Sequence, residues 1–294
     1  MEGKKVSVRK IFKELFGVIF SRDMERIFWP LCAVSGLNWI LAIFSQFFST
    51  GLKGGHFGKE VILMVWWIIL LILGAWMFLF ELRIISEGID KKDVNWREAV
   101  TFANKNLVRS IGMAMILFVL GMLLTVIFGV VGTLIGLGVS VVNPKLAVVI
   151  SGLFALIGII CLLYISFRLV FAPYHVFLGD RPVITGMVES WQASKERFWL
   201  IVRLLLSVLV CVVLLSLIGY GVGVVVGALL SLLHKVIGIL VGGIIYVGVQ
   251  PFILSMMMGS VYLLYRELMV REDLSGREGV GISDTIDSAA SGES

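Results

Sequence analysis

The sequence predicts an all-helical, polytopic membrane fold of six spans with both termini in the cytoplasm, and three observations predict it. Apolar residues make up 59% of the 294 positions and charged residues only 15%, where a soluble domain carries about 25% charged. Mean hydropathy is +1.02, and the apolar residues gather in six continuous blocks, each long enough to cross about 30 Å of hydrocarbon as a helix. Finally, 21 Lys and Arg residues fall on one side of these blocks and 4 on the other. Such an excess marks the cytoplasmic side. A soluble globular protein is excluded, and continuous blocks favour helices over the alternating strands of a barrel.

Each element follows in order. Arg9 to Arg22 carries Ile11, Phe12, Leu15, Phe16, Ile19 and Phe20 at helical spacing, with Lys10, Lys13 and Arg22 among the polar positions. This predicts an amphipathic elbow lying in the cytoplasmic interface. Span 1 runs from Ile27 to Ser49; its length and the charged segment before it are those of a retained anchor and not of a cleaved signal. Span 2 covers Val61 to Ile85. A second elbow, Asn95 to Asn106, has Trp96, Ala99, Val100, Phe102 and Ala103 as its apolar residues and leads into span 3, Leu107 to Leu134. Span 4, Leu146 to Phe171, returns to a third elbow, Pro182 to Arg197, with Val183, Ile184, Met187, Val188 and Trp191 apolar. Spans 5 and 6 are Phe198 to Leu229 and Val236 to Tyr265. Residues 1–265 therefore form one transmembrane domain, and residues 266–294, polar and without aromatics, form a cytoplasmic tail expected to be largely disordered.

Even-numbered spans end alike, in Leu82-Arg83, Phe167-Arg168 and Tyr265-Arg266. Elbow, span, short outer loop, span and terminal arginine recur three times, which predicts a bundle of three related hairpins in parallel orientation. Snorkelling arginines of an ordinary six-span protein would leave the same trace.

The segment Arg168-Leu-Val-Phe-Ala-Pro173-Tyr-His-Val-Phe, then Gly179-Asp-Arg-Pro, then Gly186-Met-Val-Glu-Ser190-Trp-Gln-Ala-Ser194 to Trp199, resembles a group of six-span prokaryotic membrane proteins. These are related to the membrane domain of glycerophosphodiester phosphodiesterases. Phe16 to Leu31, with Arg22-Asp23 ahead of Phe28-Trp29-Pro30, is similar to the first elbow of that group. The resemblance implies a span ending near a proline and an interfacial helix, bearing a serine and an aromatic, that leads into span 5. Only a short tail follows Tyr265, so the phosphodiesterase activity is not expected.

Within the spans chemistry-bearing residues are sparse. Glu81 is the one acidic residue inside a span, and an interfacial ion pair with Arg83 or Arg168 is its expected compensation. Asn38 and Gln46 in span 1 and Gln250-Pro251 in span 6 could form a polar pocket for a solute or headgroup, or could hydrogen-bond between helices. Gly132 and Gly136, Gly219, Gly223 and Gly227, and Gly238 and Gly242 recur at four-residue spacing, as close helix packing requires. Cys32, Cys161 and Cys211 lie within spans without paired or metal-ligand spacing, and His56, His175 and His234 are far apart in sequence. No catalytic constellation, metal or cofactor is expected.

These features predict a non-enzymatic protein of the cytoplasmic membrane, working in lipid or membrane organisation or as a partner of other membrane proteins. Its expected contacts are the bilayer and anionic headgroups at the cytoplasmic face, and its positive charge needs no nucleic acid. The alternative is a small transporter or channel with a mid-membrane site around Asn38 and Gln250.

Overall fold

In a computed structural model of the chain, the described backbone covers residues 7–21, 24–51, 56–90, 94–141, 143–195, 197–231 and 235–290, with side chains left aside at 46–51, 56–59, 231, 235–237, 239–240 and 269–290. The regular structure of these residues is helical: α1 (Val8–Ile19), α2 (Met24–Gly51), α3 (His56–Ile89), α4 (Trp96–Ser140), α5 (Pro144–Arg168), a π-helical turn (Tyr174–Leu178), α6 (Val183–Lys195), α7 (Phe198–Ser231) and α8 (Lys235–Ala290). Six of them are long and apolar enough to cross a membrane: Met24–Ser45, Glu60–Ile89, Trp96–Ser140, Pro144–Arg168, Phe198–Leu230 and Val241–Leu268. Their order and places match the six blocks. Of the tail, 266–294, expected to be largely disordered, the backbone is helical as the end of α8 as far as Ala290, and residues 291–294 lie outside the described residues.

One boundary differs. The second elbow is no separate helix but the first part of α4, which continues unbroken to Ser140. At 1.5 Å per residue α4 is roughly 65–70 Å long, twice what a bilayer needs. The physical reason is local: neither Gly nor Pro interrupts the chain near Asn106, whose amide donates to the Phe102 carbonyl at 3.1 Å. By contrast α1 ends where the Ser21 hydroxyl donates to the Val18 carbonyl at 2.8 Å, and α5 begins where Asn143 caps the amides of Lys145 and Leu146 at 3.0 and 3.2 Å with Pro144 behind it.

The chain divides into two compact units, each taken by itself: Met1–Trp29, Ile85–Asp93 and Arg203–Ser294 make one, and Pro30–Ile84 and Val94–Val202 the other. In the first, α1 lies along α8 and buries Ile11, Leu15, Val18 and Ile19. Gly259 permits the approach, since a Cβ there would meet Leu15 at 2.9 Å and Ile89 at 3.0 Å. Arg266 on α8 pairs with Glu14 of α1 and, at 3.0 Å, with Asp90, which also accepts from the Tyr262 hydroxyl at 2.7 Å. Lys10 reaches Glu267 at 2.6 Å. The glycines of α7 and α8 face one another: a Cβ on Gly227 would lie 3.1 Å from the Gly238 carbonyl, and on Gly223 3.7 Å from that of Gly242, while Gly219 sits against Val249.

In the second unit α4 and α5 form a hairpin in which Gly132 meets Phe154 and Gly136 meets Ser151. The start of α4 is held against α3 by Trp76, which donates to Asn104 at 2.8 Å, and by Phe80, edge-on to Trp96. Arg83 stands 5.4 Å over the Phe102 ring.

Candidate functional site

In the second unit a group of polar contacts surrounds the end of α5. A helix leaves its last carbonyls without partners, and here α6 supplies them. Ser190 and Ser194, one turn apart on one face of α6, both donate to the Arg168 carbonyl, at 2.9 and 3.1 Å. The Ser190 hydroxyl also accepts the Phe171 N–H at 3.2 Å. Both serines are fully buried, and Gly186 continues the same stripe against Val176.

The Arg168 guanidinium is then enclosed by aromatic rings. Its carbon stands 5.2 Å from the centroids of Tyr164 and Trp191 and 5.6 Å from that of Phe198. Nε and Nη2 donate to the Tyr164 hydroxyl at 3.0 and 2.8 Å. Arg168 is only 8% exposed, and its Nη1 has no hydrogen-bond partner among the described residues.

Beyond this cage the chain turns through the π-helical segment into α6. His175 is buried, with Nδ1 3.2 Å from a Glu189 carboxylate oxygen, and Arg181 Nε lies 3.6 Å from the other oxygen. Asp180 adopts a left-handed φ of 49°, tolerable for aspartate in a turn, and pairs with Arg109 of α4. The hydrogen bond and charge of Arg109, with Lys105 behind, hold the Asp180 carboxyl below its usual value. Burial pushes the His175 imidazole below its usual value, against the opposing pull of Glu189. A histidine whose pKa falls on folding binds more protons unfolded, so stability rises with pH across that interval. The expected result is a melting midpoint that is full above pH ~6.5, the ordinary imidazole value, and declines as pH falls below it; His175→Gln should flatten that slope in a pH series of thermal melts.

The sequence-derived candidates fare differently. Among the described residues no ion pair joins Glu81 to Arg83 or Arg168: Arg83 lies over the Phe102 ring, and Arg168 stands in its aromatic cage on the Tyr164 hydroxyl. Asn38 is exposed on α2, and the Gln46 side chain lies outside the described residues. Gln250 donates to the Tyr246 hydroxyl one turn earlier on α8 at 2.5 Å. Pro251 is buried beside it. Asn38 belongs to one unit and Gln250 to the other. Gln250 lines a groove of about 380 Å³ along α7 and α8 with Ser216, Tyr220 and Tyr246, otherwise apolar.

Sequence reasoning did not select Tyr164, Ser190 and Ser194 as a site. The signals were present as the four-residue spacings Tyr164/Arg168 and Ser190/Ser194, but a serine on an amphipathic helix reads as solvated until its partner is seen. Comparison with known proteins leaves the chain on its own evidence: no family model, curated protein or solved structure matches it.

Proposed function

We propose that this chain is a non-enzymatic, multi-pass protein of the cytoplasmic membrane that engages anionic lipid at the cytoplasmic face, organising lipid itself or presenting that surface to partner membrane proteins. The observation that carries this reading is the division of α1. Its aliphatic residues Ile11, Leu15, Val18 and Ile19 turn inward. Phe12, Phe16 and Phe20 instead stack along the outside, with centroids 5.9 and 5.8 Å apart, Phe16 and Phe20 exposed beside the exposed Arg9 and Lys13. Exposed rings next to cations suit the headgroup boundary of an anionic leaflet. Helix α6 supports the reading with Gly186, Ser190 and Ser194 buried and Ile184, Val188 and Trp191 exposed. On this reading α1, the start of α4 and α6 are interfacial elbows, and the lysine and arginine bias places both termini in the cytoplasm.

Three local contacts support the hairpin repeat. Arg83 touches Phe102, Arg168 touches Trp191, and Arg266 pairs with Glu14. Each terminal arginine of an even-numbered span thus meets an elbow, the first two meeting the one that follows in sequence and the last meeting the first.

Lipid co-purification tests the function. Protein extracted into mild detergent and returned to nanodiscs of phosphatidylcholine with phosphatidylglycerol is expected to retain phosphatidylglycerol selectively in native mass spectrometry. Replacing Phe16 and Phe20 together by serine should lower that retention several-fold. Equal retention of both lipids by the unaltered protein would sink the reading.

A further inference from the structure

We propose that Tyr164 and Arg168 form a binding site for a phosphate group at the cytoplasmic end of α5, an inference that rests on the lipid-surface reading above and names its ligand chemistry. Arg168 is more than nine-tenths buried and has no carboxylate partner among the described residues; its partners there are the Tyr164 hydroxyl and three rings. Cation–π contacts offset part of the cost of desolvating a guanidinium and leave its charge uncancelled. A second buried and unbonded Nη1 belongs to Arg197, next in sequence to the Phe198 ring of the cage. The negative end of the α5 dipole offsets part of this charge, and no carboxylate among the described residues offsets the rest.

The direction in which it can act follows from hydrogen-bond capacity. A phenolic oxygen has two acceptor positions and one proton. Arg168 Nε and Nη2 occupy both acceptor positions of Tyr164, so the proton must be donated elsewhere, and no described residue receives it. Tyr164 is 39% exposed, so the residue is accessible from the surroundings. Two guanidinium N–H groups behind the oxygen polarise the O–H into a strong donor for an anion.

The flanking surface selects the class of anion. Val188, Trp191 and Trp199 are exposed apolar residues around this corner, and aromatic side chains of this kind sit at headgroup depth, where lipid phosphates lie. The shared chemistry is a phosphate ester oxygen, supplied by a lipid headgroup or by a soluble phosphate ester.

The test uses delipidated full-length protein in detergent, titrated separately with short-chain phosphatidic acid and with glycerol 3-phosphate and read by native mass spectrometry. Tyr164→Phe keeps the ring and its cation–π contact while removing the donor, and should weaken binding about tenfold, the usual worth of one charge-assisted hydrogen bond. Melting midpoints control for folding; should this variant not fold, Arg168→Lys, which retains charge without the two-pronged grip, carries the same expectation. Tyr164-dependent binding of phosphatidic acid alone assigns the site to a lipid phosphate. Tyr164-dependent binding of glycerol 3-phosphate assigns it to a soluble ester. Phosphatidic acid binding that is equal in both proteins overturns this site and leaves the lipid-surface reading standing, whereas no binding of either ligand by the unaltered protein overturns the site, with failed phosphatidylglycerol selection in nanodiscs separately overturning the broader reading.

Discussion

Ser190→Ala combined with Ser194→Ala is expected to destabilise the protein by roughly 3 kcal/mol, since a buried backbone group left without a partner costs about 1–3 kcal/mol and two would be stranded. These groups are the Arg168 carbonyl and the Phe171 amide. Alanine differs from serine by the hydroxyl oxygen alone, so the loss reports hydrogen bonding with neither overpacking nor a sizeable cavity. The two serines share the Arg168 carbonyl, which makes the effects unequal. Ser194→Ala alone leaves the Ser190 bond in place and should cost about 1 kcal/mol or less, while Ser190→Ala also strands the Phe171 amide. The double variant should therefore exceed the sum of the singles in equilibrium unfolding in detergent. Additive effects of a few tenths would mean that the end of α5 is ordered by something other than α6.

Arg266→Met is expected to loosen α1. It removes the cation shared by Glu14 and Asp90 while keeping much of the apolar stem. Breaking a fully buried pair costs about 3–5 kcal/mol, but these side chains are 30%, 35% and 23% exposed. Solvent screening reduces the expected loss to roughly 1–3 kcal/mol. Hydrogen exchange should quicken across Val8–Ile19, and adding Glu14→Gln should recover part of the loss by removing the stranded charge. Unchanged exchange in α1 would show that Ile11, Leu15 and their apolar neighbours hold it without help.

The spans were legible because their signal is additive: twenty apolar residues in a row announce a membrane helix whatever the rest of the chain does. The arginines ending the even-numbered spans were legible for the same reason, each being a cation closing an apolar run. Their partners were not. Nothing near Arg168 in the sequence distinguishes a carboxylate partner such as Glu81 from a ring such as Trp191, and the expected ion pair was an assignment by charge alone. Likewise the apolar residues of α1 form one periodic set in the sequence, although packing divides them into buried aliphatics and outward phenylalanines.

Composition and periodicity thus determine the all-helical class, the number of apolar helices and their approximate limits, because hydrophobic transfer depends on local residue content. Tertiary structure alone decides that Ser190 and Ser194 satisfy the end of α5, that Arg168 stands in a cage of rings with Tyr164 as its hydrogen-bond partner, and that Arg266 fastens α1. Those contacts join residues up to 252 positions apart, and a hydrogen bond depends on angles and distances within tenths of an ångström that no local pattern encodes.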